Sequence, residues 1–410
     1  MNFETFNFHP QIKAGISAAG YNDPTPIQSQ TIPLVQQGRD VLGLAQTGTG
    51  KTAAFVLPIL QRLMNGPRGK LRALIVSPTR ELAEQTHVAI KNLGRQTGLR
   101  SITLYGGVSA LPQIKGLRDG VDIVVACPGR LLDLMEQKVI YMGTIEVVVL
   151  DEADQMFDMG FLPSIRRIIK ALPVRRQTLL FSATMPDEIR SMATDFLTQP
   201  TTVEINASRP VESVSHAIYP VEQERKYDML LELLPQAGAG QVLIFTRTKH
   251  RAKKLAMQLS KTGLSVTSLQ GNLSQNRRQE AMDGFRTGRV QVMVATDIAA
   301  RGIDISQVTH VINYDMPDTA DAYTHRIGRT GRMARLGTAF SLATQDDQPM
   351  IRAIERVLGR SIERRKIAGF DYSPVLMQHP DAAPAPVRTP TSRMAQPNRS
   401  RAYASARPGR

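Results

Sequence analysis

Short apolar runs alternate with helical patterns through the first two hundred residues of the chain. Segments 52–64 and 80–93 have helical spacing, and the apolar runs have the length of buried strands. Strands that alternate with helices in this way predict an α/β fold with a doubly wound parallel sheet. The predicted strands are 41–45, 73–77, 102–105, 123–126, 147–150 and 178–181.

The pattern weakens around 199–215, and a second alternating series follows it. Its predicted strands are 242–245, 266–269, 290–295, 310–313 and 339–342, with helical patterns such as 250–259 and 277–286 between them. We therefore predict two similar α/β domains in tandem, at 1–206 and 216–370, joined by a linker at 207–215. Two domains also suit a chain of 410 residues, which exceeds the usual size of one hydrophobic core.

The composition changes at the C-terminal end, where 371–410 is rich in Pro, Ala, Ser and Arg. Such a segment buries too little apolar area to offset chain entropy, so we expect a disordered basic tail. From residue 372 onward it carries six arginines and a single acid, Asp381. Those arginines suit a weak tether to nucleic acid, and a merely soluble tail is the alternative.

Charge and cysteine content narrow the class of protein. The formal net charge is +15 and the sequence pI is about 10.1, which favours a polyanionic partner such as nucleic acid over a solubilising surface charge. Cys127 is the only cysteine, so an intrachain disulfide or a cysteine-based metal cluster is excluded. The chain shows neither an export signal nor an apolar run near the ~20 residues that span a bilayer. We expect a cytoplasmic protein with no membrane partner.

A glycine-rich loop at 45–52 follows the first predicted strand. Glycines permit tight turns that aim amide N–H groups at phosphates, and a helix N-terminus behind them favours anions. We expect Lys51 to reach the β- and γ-phosphates of a nucleotide and the Thr52 hydroxyl to ligate Mg²⁺. Ala45 replaces the first glycine of the usual pattern. The loop residues expected to surround the phosphates are Gln46, Thr47, Gly48, Thr49 and Gly50.

Two carboxylates directly follow the apolar run 145–150. Ligands of open α/β sheets bind at the carboxyl ends of strands. We therefore predict that Asp151 holds Mg²⁺ and that Glu152 orients and deprotonates the attacking water. The alternative is that these acids only cap the next helix. Asp154 suits either chemistry or a contact between domains.

The second series contains a basic element at 325–332. Arg329 and Arg332 lie three residues apart with a glycine between them. Arginine stays charged and donates in a planar fork, so both can stabilise a γ-phosphate from the other domain. A basic surface loop is the alternative.

Over roughly 3–370 the ordered motifs resemble the DEAD-box ATP-dependent RNA helicases of superfamily 2, and most closely their bacterial RhlE-type subgroup. The resemblance implies two tandem RecA-like domains. It also implies an RNA-dependent ATPase that uses ATP and Mg²⁺ to separate short duplexes or displace bound proteins, with single-stranded and duplex RNA as partners. Ribosomal precursors and the RNA-decay machinery are compatible targets.

The resemblance assigns further residues by motif. Segment 20–28 is similar to the family's Q motif, which implies that Gln28 hydrogen-bonds adenine, that Tyr21 packs on the base, and that Phe3 is the upstream aromatic. Asp304 is implied as a ribose contact, and Ser182, Thr184, Asp154 and His325 as the coupling network. The implied RNA contacts are Pro78, Thr79, Arg80, Gly107, Pro128, Gly129, Arg130, Thr246, Arg247, Gln275, Arg278, Thr296 and Asp297.

Cys127 and Gln270 depart from the family pattern, and two other functions stay open. The family often has His at the position of Gln270, to which we assign no role. Cys127 stands where the family usually has Thr, and a thiol is a weak donor, so one phosphate contact is expected to weaken. Cys127 as a reactive thiol is the alternative. A DNA-translocating helicase of the same superfamily shares the phosphate-binding logic, because RNA is distinguished by its 2′-hydroxyl. An ATP-gated RNA clamp is the other alternative, and the intact set Lys51, Asp151, Glu152, Arg329 and Arg332 argues against it.

Overall fold

A computed structural model describes residues 2–46, 48–205, 214–300, 308–331 and 337–373. Two seven-stranded sheets follow one another along the chain, each with every strand pairing in parallel. We call residues 2–205 the first half and residues 214–372 the second half. The predicted parallel α/β architecture is confirmed.

The first sheet has the strand order β3-β4-β2-β5-β6-β1-β7. Its central strand β5 is apolar throughout because helices cover both faces of the sheet. Val147 and Val149 face one core layer, whereas Val148 and Leu150 face the other. The strands are β1 (Val41–Leu44), β2 (Ala73–Val76), β3 (Ser101–Leu104), β4 (Ile123–Ala126), β5 (Val147–Leu150), β6 (Gln177–Ser182) and β7 (Thr201–Glu204).

Nine α-helices cover this sheet in the described part of the first half. Several begin with a side-chain cap or a proline that fixes their start, as at Thr79, whose hydroxyl accepts from the Leu82 amide. The helices are α1 (Pro10–Ala18), α2 (Pro26–Gln36), α3 (Lys51–Leu63), α4 (Arg80–Leu93), α5 (Leu111–Arg118), α6 (Pro128–Glu136), α7 (Ala153–Asp158), α8 (Leu162–Lys170) and α9 (Asp187–Phe196).

The second sheet has the strand order β10-β11-β9-β12-β13-β8-β14. It too separates two core layers. Its strands are β8 (Val214–Pro220), β9 (Gln241–Phe245), β10 (Val266–Leu269), β11 (Val292–Ala295), β12 (Val308–Asn313), β13 (Gly337–Ala343) and β14 (Glu363–Arg364). The helices are α10 (Lys226–Leu233), α11 (Lys249–Ser260), α12 (Gln275–Arg286), α13 (Asp297–Ala300), α14 (Ala320–Ile327) and α15 (Gln348–Leu358).

Every strand predicted from the sequence is present, and no strand end differs from its predicted position by more than two residues. The sequence reading missed β7, β8 and β14. β7 and β14 are edge strands with exposed positions, so they lack a continuous apolar run. β8 begins at Val214, inside the predicted linker, and 206–213 lie outside the described residues.

The predicted tail begins on the surface of the second half. The Asp371 carboxylate accepts from Arg225 at 2.6 Å, and the Tyr372 ring packs edge-on against Phe370. Residues 374–410 lie outside the described part of the chain. Among the described residues, no helix combines the length and apolar character needed to cross a lipid bilayer.

Candidate active site

The glycine-rich loop joins the end of β1 to the N-terminus of α3. Gly48 and Gly50 adopt φ values of 88° and 96°, a backbone conformation that favours glycine. The Lys51 side chain is buried, and its ammonium donates to the Ala45 carbonyl at 2.7 Å. The Thr49 hydroxyl donates to the Gln46 carbonyl at 2.7 Å. A buried ammonium and a helix N-terminus therefore share one loop, as phosphate binding requires. Thr47 lies outside the described residues.

Gln28 ties the start of α2 to this loop. Its carbonyl oxygen accepts from the Thr25 amide at 3.0 Å, and its amide nitrogen donates to the Gly50 carbonyl at 3.1 Å. Any Cβ at position 50 would lie 2.5 Å from that nitrogen, so the close approach also requires glycine. The Gln28 oxygen has a second lone pair and the nitrogen a second proton. The predicted contact with adenine is thus compatible with both existing bonds.

Tyr21 offers an exposed ring beside the loop. It is 40% exposed, and the buried Phe3 ring stacks on it at 6.1 Å between centroids. Tyr21 and Thr52 line a cleft of about 420 Å³ that also contacts Gln279 and Arg286 of α12. The predicted adenine platform therefore lies between the halves. Asp304, the predicted ribose contact, lies outside the described residues.

Asp151 follows β5 and is 2% exposed. Burial and the neighbouring Glu152 carboxylate raise the pKa of Asp151 to about 7, against the opposing effect of Lys51. Its Oδ1 atom is buried and has no hydrogen-bond partner among the described residues. An orphaned carboxylate oxygen is the kind of hard donor that Mg²⁺ takes.

The oxygen donors at this site suit Mg²⁺ better than a metal ion that is held entirely by protein ligands. The described residues contain no group of three or more His, Cys, Asp or Glu side chains placed to hold a metal. Mg²⁺ is commonly held by one or two protein oxygens together with waters and substrate phosphates. Asp151 and the hydroxyl of Thr52 are residues suited to that role.

Glu152 is held in an unusual backbone conformation at the start of α7. Its φ is 53°, in the left-handed region that costs energy for a residue with a Cβ. The side chain is buried, and one carboxylate oxygen accepts from the amide of Gln155. Neither Asp151 nor Glu152 makes a side-chain cap for α7 in the structure, so the helix-cap alternative loses support.

Asp154 connects α7 to the segment that follows β6. Its Oδ2 atom accepts from the Ala183 and Thr184 amides at 3.1 Å each and from the Thr184 hydroxyl at 3.2 Å. The Ser182 hydroxyl donates to the Thr184 carbonyl at 2.7 Å. The structure therefore brings together three of the four residues predicted to couple hydrolysis to RNA.

The fourth, His325, approaches from the second half. It lines a cavity of about 20 Å³ whose walls include Gln155 of the first half and Arg326 and Arg329 of the second. Arg329 is buried, and its Nε donates to the His325 carbonyl at 3.3 Å. One predicted arginine finger thus lies at the interface of the halves. Arg332 lies outside the described residues.

A groove of about 550 Å³ gathers much of the predicted RNA-binding set. Arg130 donates to the Val108 carbonyl at 3.1 Å, while its Nη1 atom is buried without a partner among the described residues. That nitrogen can donate a hydrogen bond to an anionic oxygen such as that of a phosphate. The predicted contacts that line the groove are Pro78, Thr79, Arg80, Gly129, Arg130 and Arg278.

Three of the predicted RNA residues join the halves to each other. Arg278 is buried and pairs with Glu81, with Nε 2.8 Å and Nη2 2.7 Å from Glu81 Oε1. The Gln275 oxygen accepts from Arg80 at 3.2 Å. RNA contact by these residues stays a prediction, whereas the structure places them in contacts across the cleft.

The remaining residues that were predicted to bind RNA differ in their solvent exposure. The Asp297 carboxylate is held by Arg326 through two bonds of 2.6 Å, and the backbone amide of Arg247 donates to Asp315 at 2.8 Å. Thr246 and Pro128 are buried, whereas Arg247 is exposed and Thr296 is partly exposed. Gly107 has a φ of 76°, and a Cβ there would lie 2.3 Å from the Arg80 guanidinium.

Cys127 lines the groove at the start of α6 and makes no side-chain cap. Burial raises the pKa of the Cys127 thiol to about 12. A thiol that remains protonated is a poor nucleophile, so the reactive-thiol alternative loses support.

Sequence reasoning assigned no individual role to three residues of this region: Gln155, Glu81 and Arg326. Gln155 had a local signal, because it follows the acidic quartet by one position. Arg326 contacts Asp297, Asn313 and the face of Phe245, with 5.0 Å from its Cζ to the ring centroid. Such partners are distant in sequence, so no spacing could have paired them.

Comparison with known proteins identifies the family. Residues 25–192 match the DEAD/DEAH box helicase model, and residues 225–334 match the helicase conserved C-terminal domain. The chain is 40% identical over 372 residues to the DEAD-box ATP-dependent RNA helicase CshA of Bacillus subtilis, covering 90% of this chain and 75% of that protein.

Solved structures agree on the fold. S. cerevisiae Dbp5 bound to RNA and ADP BeF3 superposes with a TM-score of 0.79 at 32% identity, covering 89% of this chain and 95% of that chain. A variant of that yeast protein bound to Nup159, a Gle1 variant, IP6 and ADP gives 0.60 at 32% identity, covering 87% and 95%. The tandem RecA-like fold is thereby confirmed. On its 40% identity across most of its length, the chain belongs to the DEAD-box ATP-dependent RNA helicases.

Proposed function

We propose that this helicase separates short RNA duplexes locally, without processive translocation, by closing its two halves around ATP and one RNA strand. The observation that carries the proposal is the meeting of the two halves beside the acidic motif. Gln155 from the first half and His325, Arg326 and Arg329 from the second line one small cavity. A nucleotide held by the first half thus lies within reach of cationic groups from the second.

In this proposal the first half binds the nucleotide. Lys51 holds the β- and γ-phosphates, Thr52 and Asp151 would hold Mg²⁺, and Glu152 orients and deprotonates the attacking water. Mg²⁺, when bound, would neutralise phosphate charge. Arg329 and Arg332 stabilise the charge that develops on the γ-phosphate. The buried positions of Lys51, Asp151 and Glu152 support these roles, because electrostatic interactions strengthen where water is excluded.

RNA enters the same cycle through the groove. Arg80, Arg130 and their neighbours contact the phosphates of one strand, which gives affinity without sequence preference. Closure bends the bound strand, and a duplex cannot follow that bend, so the complementary strand is released. The chain superposes on the RNA-bound yeast protein with a TM-score of 0.79, which supports closure as a stable state.

The test is reciprocal coupling between the two ligands. If closure links the sites, RNA tightens ATP binding by the same factor by which ATP tightens RNA binding. Fluorescence anisotropy with a labelled single strand, with and without a non-hydrolysable ATP analogue, measures that factor. Equal RNA affinity in both conditions contradicts the proposal. Matched RNA and DNA strands in an ATPase assay separate an RNA helicase from a DNA translocase.

Glu152→Gln tests the assignment of the water-orienting group. The variant is expected to bind ATP and RNA normally and to lose turnover by about 10²- to 10⁴-fold, the usual worth of a general base. Arg167, an exposed residue of α8 that pairs with Glu136, offers a control position whose substitution leaves turnover unchanged. Normal hydrolysis by Glu152→Gln removes Glu152 from the mechanism.

We also propose, on the sequence resemblance, that the chain belongs to the RhlE-type subgroup and acts in the cytoplasm on ribosomal precursors or with the RNA-decay machinery. Crosslinking in cells followed by sequencing of the bound RNA tests the targets.

The domain boundaries proposed at 1–206 and 216–370 predict proteolytic cleavage within 207–215. Cleavage confined to another segment contradicts those boundaries.

A further inference from the structure

Gln155 contacts the predicted catalytic Glu152 from the first turn of α7. The side chain is 4% exposed, and its Nε2 atom donates to Glu152 Oε2. An amide that faces a carboxylate must present its NH₂ group, because two oxygens would repel. That orientation turns the Gln155 Oε1 atom away from Glu152. The Oε1 atom is buried and has no hydrogen-bond partner among the described residues.

The orphaned oxygen belongs to a side chain that lines the small cavity between the halves. A cavity of about 20 Å³ is large enough for one water molecule. His325, Arg326 and Arg329 supply N–H groups to its wall, and Asp297 supplies a carboxylate. Arg326 is already committed to Asp297, Asn313 and the Asp315 carbonyl. The His325 ring makes no hydrogen bond with the described residues, so it is a suitable donor.

We propose that Gln155 is a positioning residue that makes the orientation of Glu152 depend on closure of the two halves. In the closed state its Nε2 holds the Glu152 carboxylate, while its Oε1 accepts from His325 through one water in the cavity. Bonds at both ends fix the rotation of the amide. When the halves separate, the oxygen meets bulk water and the amide turns freely, so Glu152 loses its orientation. The inference rests on the proposed role of Glu152.

This arrangement explains how RNA can accelerate hydrolysis without touching the nucleotide. RNA favours the closed state, and only the closed state supplies the second bond to Gln155. The backbone of Glu152 is left-handed (φ 53°), a conformation that a residue with a Cβ does not favour. The contact with Gln155 therefore helps to hold the carboxylate in place. Catalytic groups that are misplaced even slightly lose much of their effect.

Gln155→Met tests the proposal, since methionine fills the space and can bond to neither end. We expect the RNA-stimulated kcat to fall about tenfold, roughly 1.4 kcal/mol in activation free energy. The KM values for ATP and RNA should stay within about twofold, because Gln155 acts on the transition state only. Gln137 is the matched control. It donates to the Asp133 carboxylate at 2.7 Å on the exposed end of α6, so Gln137→Met should leave kcat unchanged.

A second variant and a double substitution separate positioning from packing. Gln155→Asn retains the amide but is too short to span both contacts, so it should show the same loss of kcat if Gln155→Met misfolds. In a His325→Ala background, Gln155→Met should add little further loss, because the bridge is already broken. An unchanged kcat, a change in KM alone, or fully additive losses would overturn the proposal.

Glu152→Gln in the same assay distinguishes the two possible failures. If Glu152→Gln abolishes turnover while Gln155→Met does not reduce it, the positioning role is wrong and the role of Glu152 stands. If Glu152→Gln hydrolyses ATP normally, the role of Glu152 fails, and the positioning proposal falls with it.

Discussion

The two halves share one topology but use the same position in the sheet in opposite ways. The order β10-β11-β9-β12-β13-β8-β14 repeats the order β3-β4-β2-β5-β6-β1-β7 strand for strand. Asp151 follows β5, and Asp315 lies two residues beyond β12, the corresponding strand. Asp151 Oδ1 is buried without a partner among the described residues. Asp315 accepts from the Arg247 amide at 2.8 Å and from Arg251 at 2.5 Å.

This difference shows what the fold leaves open. A buried carboxylate with two donors stabilises its own half, whereas one with a buried oxygen that lacks a donor is suited to a cation. The loops after β1 and β8 differ in the same sense. Gly48 and Gly50 follow β1, but residues 221–225 after β8 contain no glycine and form a short 3₁₀ turn at Gln223–Arg225. Of these two loops, the one after β1 has the glycines that a phosphate-binding loop needs, so function follows the residues placed on the repeated fold.

Asp151→Asn should have the largest effect and should separate activity from stability. We expect RNA-stimulated ATP hydrolysis to fall at least 10²-fold, because the proposed Mg²⁺ site loses its carboxylate. In the folded protein the pKa of Asp151 is about 7, above its ordinary value of 3.8. The stability of the wild type therefore falls as the pH rises from 3.8 to 7. The ligand-free variant should therefore unfold at a higher temperature than the wild type at pH 8. Calorimetry at pH 8 and a phosphate-release assay measure both. A less stable variant contradicts the comparison.

Asp315→Ala should give the opposite result. Removing this carboxylate leaves the Arg247 amide and part of the Arg251 guanidinium without an acceptor, at a cost of about 2–3 kcal/mol. The Tm should fall, while ATP affinity of the folded protein stays unchanged because the first half is intact. Calorimetry and nucleotide titration below the transition are the measurements. Weakened ATP binding with an unaltered Tm would show that the two aspartates do not differ as described.

The sequence alone predicted the features that residues close together in the chain form. β5 (Val147–Leu150) was predictable because a strand buried on both faces is apolar at every position. The loop at Gly48, Gly50 and Lys51 was predictable because neighbouring residues form it. The Arg278–Glu81 pair joins residues 197 positions apart and depends on how the halves meet. Strand β7 (Thr201–Glu204) was missed because its edge position leaves polar residues exposed.

The contact between the halves can be tested with a double-mutant cycle on Glu81→Gln and Arg278→Gln. Because both side chains are largely buried, we expect an interaction free energy of about 1–2 kcal/mol in the coupling between RNA and ATP binding. The exposed pair Arg167–Glu136, with side chains 60% and 61% exposed, is the control and should contribute less than about 0.5 kcal/mol. Equal values for the two pairs would exclude a role for the Glu81 contact in closure.

The smallest expected effect concerns β8, which takes the place of β1 in the order of the second sheet. β8 contains a buried histidine, whereas β1 is apolar. His216 Nδ1 lies 2.9 Å from the Tyr323 hydroxyl, and Nε2 lies 3.2 Å from Arg360. Burial, aided by the Arg360 cation, lowers the pKa of His216 to about 4 from 6.5. The unfolded chain therefore binds the proton more tightly, and stability falls as pH drops from 6.5 toward 4.

His216→Gln should remove part of that acid sensitivity from the second half. Between pH 7 and pH 5 the wild type should lose about 1 kcal/mol more than the variant, allowing for solvent screening of the partly accessible ring. Thermal unfolding of both proteins at the two pH values gives this difference of differences. The first half supplies the contrast, since β1 (Val41–Leu44) carries no titratable side chain. An equal acid-induced loss in wild type and variant would mean that the buried His216 network does not distinguish the two sheets.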